Sequence, residues 1–190
     1  LTDPVSNQTQ WIYDALDREV QEIDPLSNSS TFAYDAIDRM TSTTDRNSQQ
    51  ITSSYDVLNR KTGETWFNVG GSQVNALTFT YDADDNLLTA ANNAGTTTLT
   101  DDALDRTSTV QGTFGTTLTY TYDAADNRTV VQDSFGATTT RIYDVLRRLT
   151  SLQLGGTGQT PLREDFTYTA RDQVATQTRY SDLAGTNKIG

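Results

Sequence analysis

Apolar and polar residues alternate with a period of two in short stretches that recur along the chain. In five of these stretches, two large aromatic side chains are separated by one residue, which is Ile12 in the first pair and Ala or Thr in the other four. The pairs are Trp11 and Tyr13, Phe32 and Tyr34, Phe79 and Tyr81, Tyr120 and Tyr122, and Phe166 and Tyr168. This alternation predicts strands with one aromatic face. A second short alternating stretch follows each pair, so every unit is predicted to contain two strands.

A six-residue string at the end of the first strand repeats about eight times. It reads YDALDR at Tyr13, YDAIDR at Tyr34, YDVLNR at Tyr55, YDADDN at Tyr81, DDALDR at Asp101, YDAADN at Tyr122, YDVLRR at Tyr143 and YTARDQ at Tyr168. Two spacings are long because of extra residues near Gly70-Gly71 and Gly155-Gly156, which we expect to lie in turns. Residues 1–190 are therefore predicted to be a single array of repeats, cut from a longer chain.

The fourth position after each motif Tyr predicts a tight turn. It is occupied by Asp17, Asp38, Asn59, Asp85, Asp105, Asp126 and Asp172, and by Arg147 in one unit. Asp and Asn tolerate left-handed backbone angles and bond to neighbouring amides. Arg147 does not fit this explanation.

We interpret the Tyr, Asp and Arg of the string as a structural motif. Its residues are Tyr13, Asp14, Arg18, Tyr34, Asp35, Arg39, Tyr55, Asp56, Arg60, Tyr81, Asp82, Tyr122, Asp123, Tyr143, Asp144, Arg148 and Tyr168. Our hypothesis is that each Asp caps turn amides and each Arg reaches an adjacent unit. The alternative is that both are solvated, since exposed ion pairs contribute only about 0 to 1 kcal/mol each.

The predicted fold is all-β, with tandem repeats forming a coiled, spiral antiparallel β-sheet. About sixteen strands at roughly 4.8 Å would give a sheet about 75 Å wide, and the natural twist of strands predicts that such a sheet coils. We expect the aromatic face to lie inside the curve or against the next winding. Each repeat should be stabilised mainly by its neighbours in the chain.

Composition excludes several classes of function. A formal net charge of −11 argues against nucleic acid and anionic lipid as partners. The chain has no Cys and no His, which removes disulfides and the commonest metal ligands and general bases. No apolar run is long enough to insert into a membrane.

The repeat resembles the YD repeat of the Rhs family, whose usual form is Tyr-Asp, two residues, then Gly-Arg. Asp, Asn or Arg147 stands in the Gly position here, and Asn86, Asn127 and Gln173 replace the Arg in three units. The resemblance implies a β-ribbon wound as a spiral, as in the shells of Rhs and Tc toxin proteins and in teneurins. It also implies an extracellular or cell-surface location. The family's self-cleaving segment carries Asp-Pro followed closely by Gly-Leu, a context that neither Asp3-Pro4 nor Asp24-Pro25 has.

Clustered carboxylates suggest two kinds of chemistry. The turn at Asp82, Asp84 and Asp85 and the pair Asp101-Asp102 could serve as acid and base or hold calcium. We favour the structural interpretation, because the motif Asp recurs in seven of eight units and calcium-loop spacing is missing. The motif tyrosines could also stack on sugars or bases, but packing in a core is the commoner use of such a column.

The predicted function is structural, with no enzymatic activity and no cofactor. The segment would form part of an encapsulating β-shell, with an enclosed toxin domain as partner, or part of a surface fibre that self-associates. The alternative is an adhesin-type binding module that recognises glycans or a partner cell through the turns near Gly70 and Gly155.

Overall fold

The structure is a computed structural model that describes residues 8–190. These residues form sixteen antiparallel strands and no helix, so the prediction of an all-β repeat fold is confirmed. The pair Asp3-Pro4 lies outside the described residues. Contacts divide the chain into two compact units, Leu1–Thr96 and Thr97–Gly190.

Unit 1 is a series of antiparallel hairpins. Its strands are β1 (Gln10–Tyr13), β2 (Glu19–Ile23), β3 (Ser29–Tyr34), β4 (Met40–Thr44), β5 (Gln50–Tyr55), β6 (Lys61–Phe67), β7 (Gln73–Tyr81) and β8 (Leu87–Asn92). Each strand pairs with its neighbour in the sequence. Spatial order therefore follows chain order.

Unit 2 repeats this arrangement. Its strands are β9 (Gly95–Asp101, beginning just before the unit boundary), β10 (Thr107–Gln111), β11 (Thr117–Tyr122), β12 (Arg128–Asp133), β13 (Ala137–Tyr143), β14 (Leu149–Gly156), β15 (Leu162–Tyr168) and β16 (Val174–Tyr180). Neighbouring strands again pair in chain order.

Every motif turn is preceded by a register shift in its hairpin. In the first repeat, Ile12 pairs with Gln21 but Tyr13 pairs with Glu19, so one residue of β2 is extra. The same irregularity occurs in the other seven motif hairpins. Such a bulge bends the strand and re-aims the side chain beside it, which places the motif Tyr at the start of the turn.

The predicted left-handed turn position is confirmed in all eight repeats. Its φ values run from 58° at Asp105 to 70° at Asp85, with Arg147 at 62°. Asp and Asn adopt this region at little cost, whereas a longer side chain such as that of Arg147 is strained there.

The hairpins near Gly70 and Gly155 are lengthened: Gly70 and Gly71 lie in a turn, as expected, whereas Gly155 and Gly156 lie in β14, which corrects the expectation there. β6 and β7 have 7 and 9 residues, against 4 to 6 in the earlier strands of unit 1. The turn between them, Asn68 to Ser72, closes with the same pair of backbone bonds as the motif turns. Added residues can pair across a hairpin, and this satisfies their backbone groups better than an enlarged loop would.

Both units are open, single-layer sheets. Strands contact only their sequence neighbours, and no apolar side chain is fully buried among the described residues. The predicted coil is therefore not found within either unit, and the aromatic face has no second winding against it there. Eight strands span only about 40 Å, and normal twist does not bring the two ends of so short a ribbon together. The described residues include no helix able to cross a membrane.

Candidate functional site

The first carboxylate oxygen of each motif Asp caps its own turn. Asp14 Oδ1 accepts hydrogen bonds from the backbone N–H groups of Leu16 and Arg18, at 2.8 and 3.1 Å. The same pair of bonds is made by Asp35, Asp56, Asp82, Asp102, Asp123 and Asp144. In the last repeat the hydroxyl of Thr169 accepts the two corresponding bonds. Each turn is thus closed by its own side chain.

The motif Arg joins two consecutive repeats. Arg39 Nε donates to Asp35 Oδ2 of its own turn at 2.6 Å. Arg39 Nη1 donates to the backbone carbonyl of Asp56 at 2.9 Å and to the Asn59 side chain at 3.0 Å, both in the next repeat. One guanidinium therefore holds the side chain of one turn and the backbone of the following turn.

The same bridge is built at three other positions, where Arg18 reaches Asp35 and Asp38, Arg60 reaches Asp82 and Asp85, and Arg106 reaches Asp123 and Asp126. At a fourth position, Arg148 reaches only the side chain of Asp172 in the next turn. Their side chains are 20 to 26% exposed. Such partly desolvated, charge-assisted bonds are stronger than bonds between neutral groups.

The motif Tyr of the following repeat lies beneath this guanidinium. The distance from the Arg carbon to the ring centre is 4.9 Å for Arg39 and Tyr55 and 4.6 Å for Arg106 and Tyr122. It is similar for Arg18 over Tyr34, Arg60 over Tyr81 and Arg148 over Tyr168. This is the geometry of a cation–π contact.

The Tyr hydroxyl makes a further link to the preceding repeat. Tyr55 donates to the carbonyl of Met40 at 2.8 Å, and Tyr81, Tyr122 and Tyr168 make equivalent bonds of 2.7 to 2.8 Å. We call the Arg, its own Asp, and the Tyr and turn acceptor of the next repeat the inter-repeat clamp. The expectation that the motif tyrosines pack in a core is corrected. These four rings are half-buried, and each lies against an Arg of the preceding repeat.

Two of the substituted repeats close their own turn without reaching forward through an Arg. The side-chain amide of Asn86 donates to Asp82 at 3.1 Å, and that of Asn127 donates to Asp123 at 2.8 Å. Tyr143, which follows Asn127, still donates to the carbonyl of Arg128, at 3.4 Å. Turn capping is thus separable from the Arg bridge.

Hydrogen bonds within the clamp favour the ionised forms of both the Asp and the Arg. Hydrogen bonding from Arg18 lowers the pKa of Asp14, and Arg106 does the same to the pKa of Asp102. In return, the hydrogen bond from Asp14 raises the pKa of Arg18. These shifts follow from opposite charges placed in hydrogen-bond contact.

The acidic clusters do not converge on a common point. Asp82 accepts turn amides while Asp85 pairs with Arg60 at 2.8 Å. Asp102 is held by Arg106. No group of three acidic residues is placed to hold a metal ion within residues 8–190.

Sequence reasoning named the Asp and Arg of the clamp but missed two contacts. The turn acceptors Asp38, Asn59, Asp85, Asp126 and Asp172 were assigned only a backbone role, and the placement of the Arg over the next Tyr was not foreseen. The available signal was the separation of 16 residues that Arg18 and Tyr34 share with Arg39 and Tyr55. Insertions lengthen it in the units that carry extra residues.

Comparisons with known proteins agree with this picture. The family model described as RHS Repeat matches residues 13–50, which confirms the resemblance for that part of the chain. The comparison with curated proteins finds no match.

Solved structures share the fold. The crystal structure of TcdB2-TccC3 without its hypervariable C-terminal region is 18% identical, with a TM-score of 0.69 over 85% of this chain and 9% of that one. The structure of TcdB2-TccC3-Cdc42 is 16% identical, with a TM-score of 0.70 over 99% of this chain and 11% of that one. The present chain therefore spans about a tenth of the length of the structures it matches.

The fold and the clamp together define a tandem-repeat β-ribbon whose turns are linked from repeat to repeat. Residues 13–50 match the RHS Repeat model, and the chain shares its fold with part of the TcdB2-TccC3 structures. These findings support a structural RHS-repeat segment.

Proposed function

We propose that this segment forms part of the wall of an encapsulating β-shell in a larger exported protein. The inter-repeat clamp is the observation that carries the proposal. Its polar groups bond to each other and to the next turn, so its chemistry is used to join repeats. A wall needs such links between its repeats, and the clamp is built at five of the seven junctions between the eight motifs.

Exposed apolar side chains at the turn tips also support a wall. In unit 1, Leu16, Ile37 and Leu58 at the motif turns are 59 to 66% exposed, and Leu26 and Val69 at the opposite edge are 82% and 66% exposed. Burying each such side chain is worth about 1.5–3 kcal/mol. A single-layer ribbon with apolar tips on both edges gains stability when further windings lie beside it.

Export and an enclosed toxin domain follow from the resemblance to Rhs and Tc toxin proteins. The negative charge of the chain suits an extracellular wall that does not bind anionic surfaces. We therefore assign the parent protein to the cell exterior or surface, with a C-terminal toxin domain as the enclosed partner. A surface fibre built from the same ribbon is the alternative arrangement.

Electron microscopy of the intact parent protein tests this proposal. A hollow capsule with density inside is the expected result, and an empty capsule is expected after deletion of the C-terminal domain. A thread with repeats stacked along one axis would support the fibre and overturn the shell. A compact particle without a cavity would overturn both.

A binding module is the second candidate function. It is favoured by one observation, a groove on unit 1 beside the lengthened β6–β7 hairpin, lined by an exposed Trp66 and several polar side chains. This function does not exclude the wall, because the groove lies away from the clamp residues.

A further inference from the structure

A groove of about 360 Å³ lies on the aromatic face of unit 1. One wall is the lengthened β6–β7 hairpin, which contributes Trp66, Phe67, Asn68 and Val74. The other wall is formed by β4, β5 and the turn between them. Phe32, Thr43, Ile51 and Trp66 are successive cross-strand partners, and such partners share a face. The groove therefore arises where the longer hairpin rises beside two short strands.

Trp66 is held as a fixed platform in this groove. Its Nε1 donates to Glu64 Oε1, and the other oxygen of Glu64 accepts a bond from Lys61 Nζ at 2.8 Å. The side chain remains 41% exposed. A ring with both its position and its orientation set in advance loses little entropy when a ligand stacks on it.

Polar groups surround the ring. The Oδ1 atoms of Asp45 and Asn68 accept turn amides, so Asp45 Oδ2 and Asn68 Nδ2 are the atoms that can meet a ligand. Gln49 and Gln50 add donors and acceptors to the lining. An aromatic face bordered by amides and a carboxylate matches a ligand with one apolar face and hydroxyl groups at its rim.

We propose that this groove binds a neutral sugar, with a pyranose ring stacked on Trp66. Asp45 in the lining makes anionic sugars and nucleotides unfavourable, because like charges repel and the chain carries a net charge of −11. The proposal rests on the second candidate function and identifies its site and its ligand class.

Unit 2 contains a natural comparison. A groove of about 230 Å³ lies beside its own lengthened hairpin and is lined by Leu118, Val131, Thr139, Leu154 and Gln159 among others, with no aromatic ring. It has the shape that the insertion creates but lacks the stacking platform. Sugar binding is therefore assigned to the groove of unit 1.

Titration of the purified chain with neutral oligosaccharides tests the proposal. Maltohexaose, cellohexaose and chitohexaose are added separately, and binding is followed by calorimetry and Trp fluorescence. At least one is expected to bind, and Trp66→Ala should weaken it by about ten-fold or more, since loss of a stacked ring is worth about 1–3 kcal/mol. Gln49→Ala should also weaken binding without changing the melting temperature.

Trp11→Ala is the matched control. Trp11 is 38% exposed and does not line this groove, so its removal should leave the affinity unchanged. Binding that survives Trp66→Ala would overturn the assignment of the site to this groove, but the chain would still be a binding module. No binding of any of the three sugars up to about 10 mM would overturn the sugar proposal but not a module that recognises a protein on a partner cell, and neither result bears on the wall.

Discussion

Arg39 lies over the ring of Tyr55, 16 residues later, with 4.9 Å between the guanidinium carbon and the ring centre. The same guanidinium holds Asp35 behind it and the Asp56 carbonyl ahead of it. One Arg side chain thus contacts three groups from two repeats: a carboxylate, a backbone carbonyl and an aromatic ring. Since the sheet has no buried apolar core among the described residues, we infer that these polar and cation–π contacts add to the backbone ladder that pairs consecutive repeats.

Arg39→Lys is expected to lower the stability of unit 1. Lysine keeps the charge but lacks the planar fork that bonds to Asp35 and Asp56 while lying on the ring of Tyr55. The expected loss is on the order of 1 kcal/mol, measured as the change in unfolding free energy in urea.

Arg46→Lys is the control for this substitution. Arg46 is 44% exposed and pairs with Glu22 at 2.8 Å without lying on a motif Tyr. An exposed pair of this kind should change stability by less than about 0.5 kcal/mol. Equal losses for Arg39→Lys and Arg46→Lys would contradict the role assigned to the clamp.

Asp35→Ala is expected to destabilise the chain more than Asp84→Ala. Asp35 caps the amides of Ile37 and Arg39 and holds the Arg39 side chain, so its loss leaves several polar groups without their partner. Asp84 is an exposed residue in an equivalent turn and serves as the matched control. Melting temperatures of the two variants compare them directly, and equal values would show that the motif Asp acts as an ordinary surface residue.

Acid is expected to weaken the fold. Arg18 lowers the pKa of Asp14, and Arg106 lowers that of Asp102, from an ordinary value of 3.8. A carboxyl with a lowered pKa in the folded state stabilises that state above the unfolded pKa, and this contribution is lost as pH falls through the folded pKa. The melting temperature should stay nearly level from about pH 8 to pH 5 and fall below about pH 4.

Scanning calorimetry across this pH series is the measurement. Acidification also reduces the net charge of −11, which relieves repulsion and acts in the opposite direction. A higher melting temperature at pH 3 than at pH 7 would mean that repulsion outweighs the clamp, and would contradict this expectation.

Local chemistry explains which features could be predicted from the sequence. Strand alternation at Trp11 and Tyr13 and the turn preference of Asp17 depend on residues next to each other, and both predictions were confirmed. The contact of Arg39 with Tyr55 depends on hairpin register, which no local preference determines. The groove at Trp66 was missed for a similar reason, since the extra residues could enter either the strands or the turn.

Arg147 and Asn127 form the most informative exception to the clamp. Arg147 occupies the position where five other repeats place the Asp or Asn that accepts a bond from the preceding Arg. The repeat before Arg147 has Asn127 instead of Arg. The side-chain hydrogen bond from Asn127 and, to a smaller extent, the charge of Arg147 lower the pKa of Asp123. The positive charge at this junction therefore comes from the later repeat.

The double substitution Asn127→Arg with Arg147→Asp is expected to rebuild the clamp at this junction, because Tyr143 is already in place. Asn127→Arg alone should not stabilise the chain, since its guanidinium would meet Arg147. Arg147→Asp alone should relieve left-handed strain at φ 62°, worth on the order of 0.5–1 kcal/mol, but would remove a positive charge near Asp123. A double-mutant cycle in urea should show a favourable coupling between the two substitutions. Purely additive effects would mean that the guanidinium does not bridge these repeats.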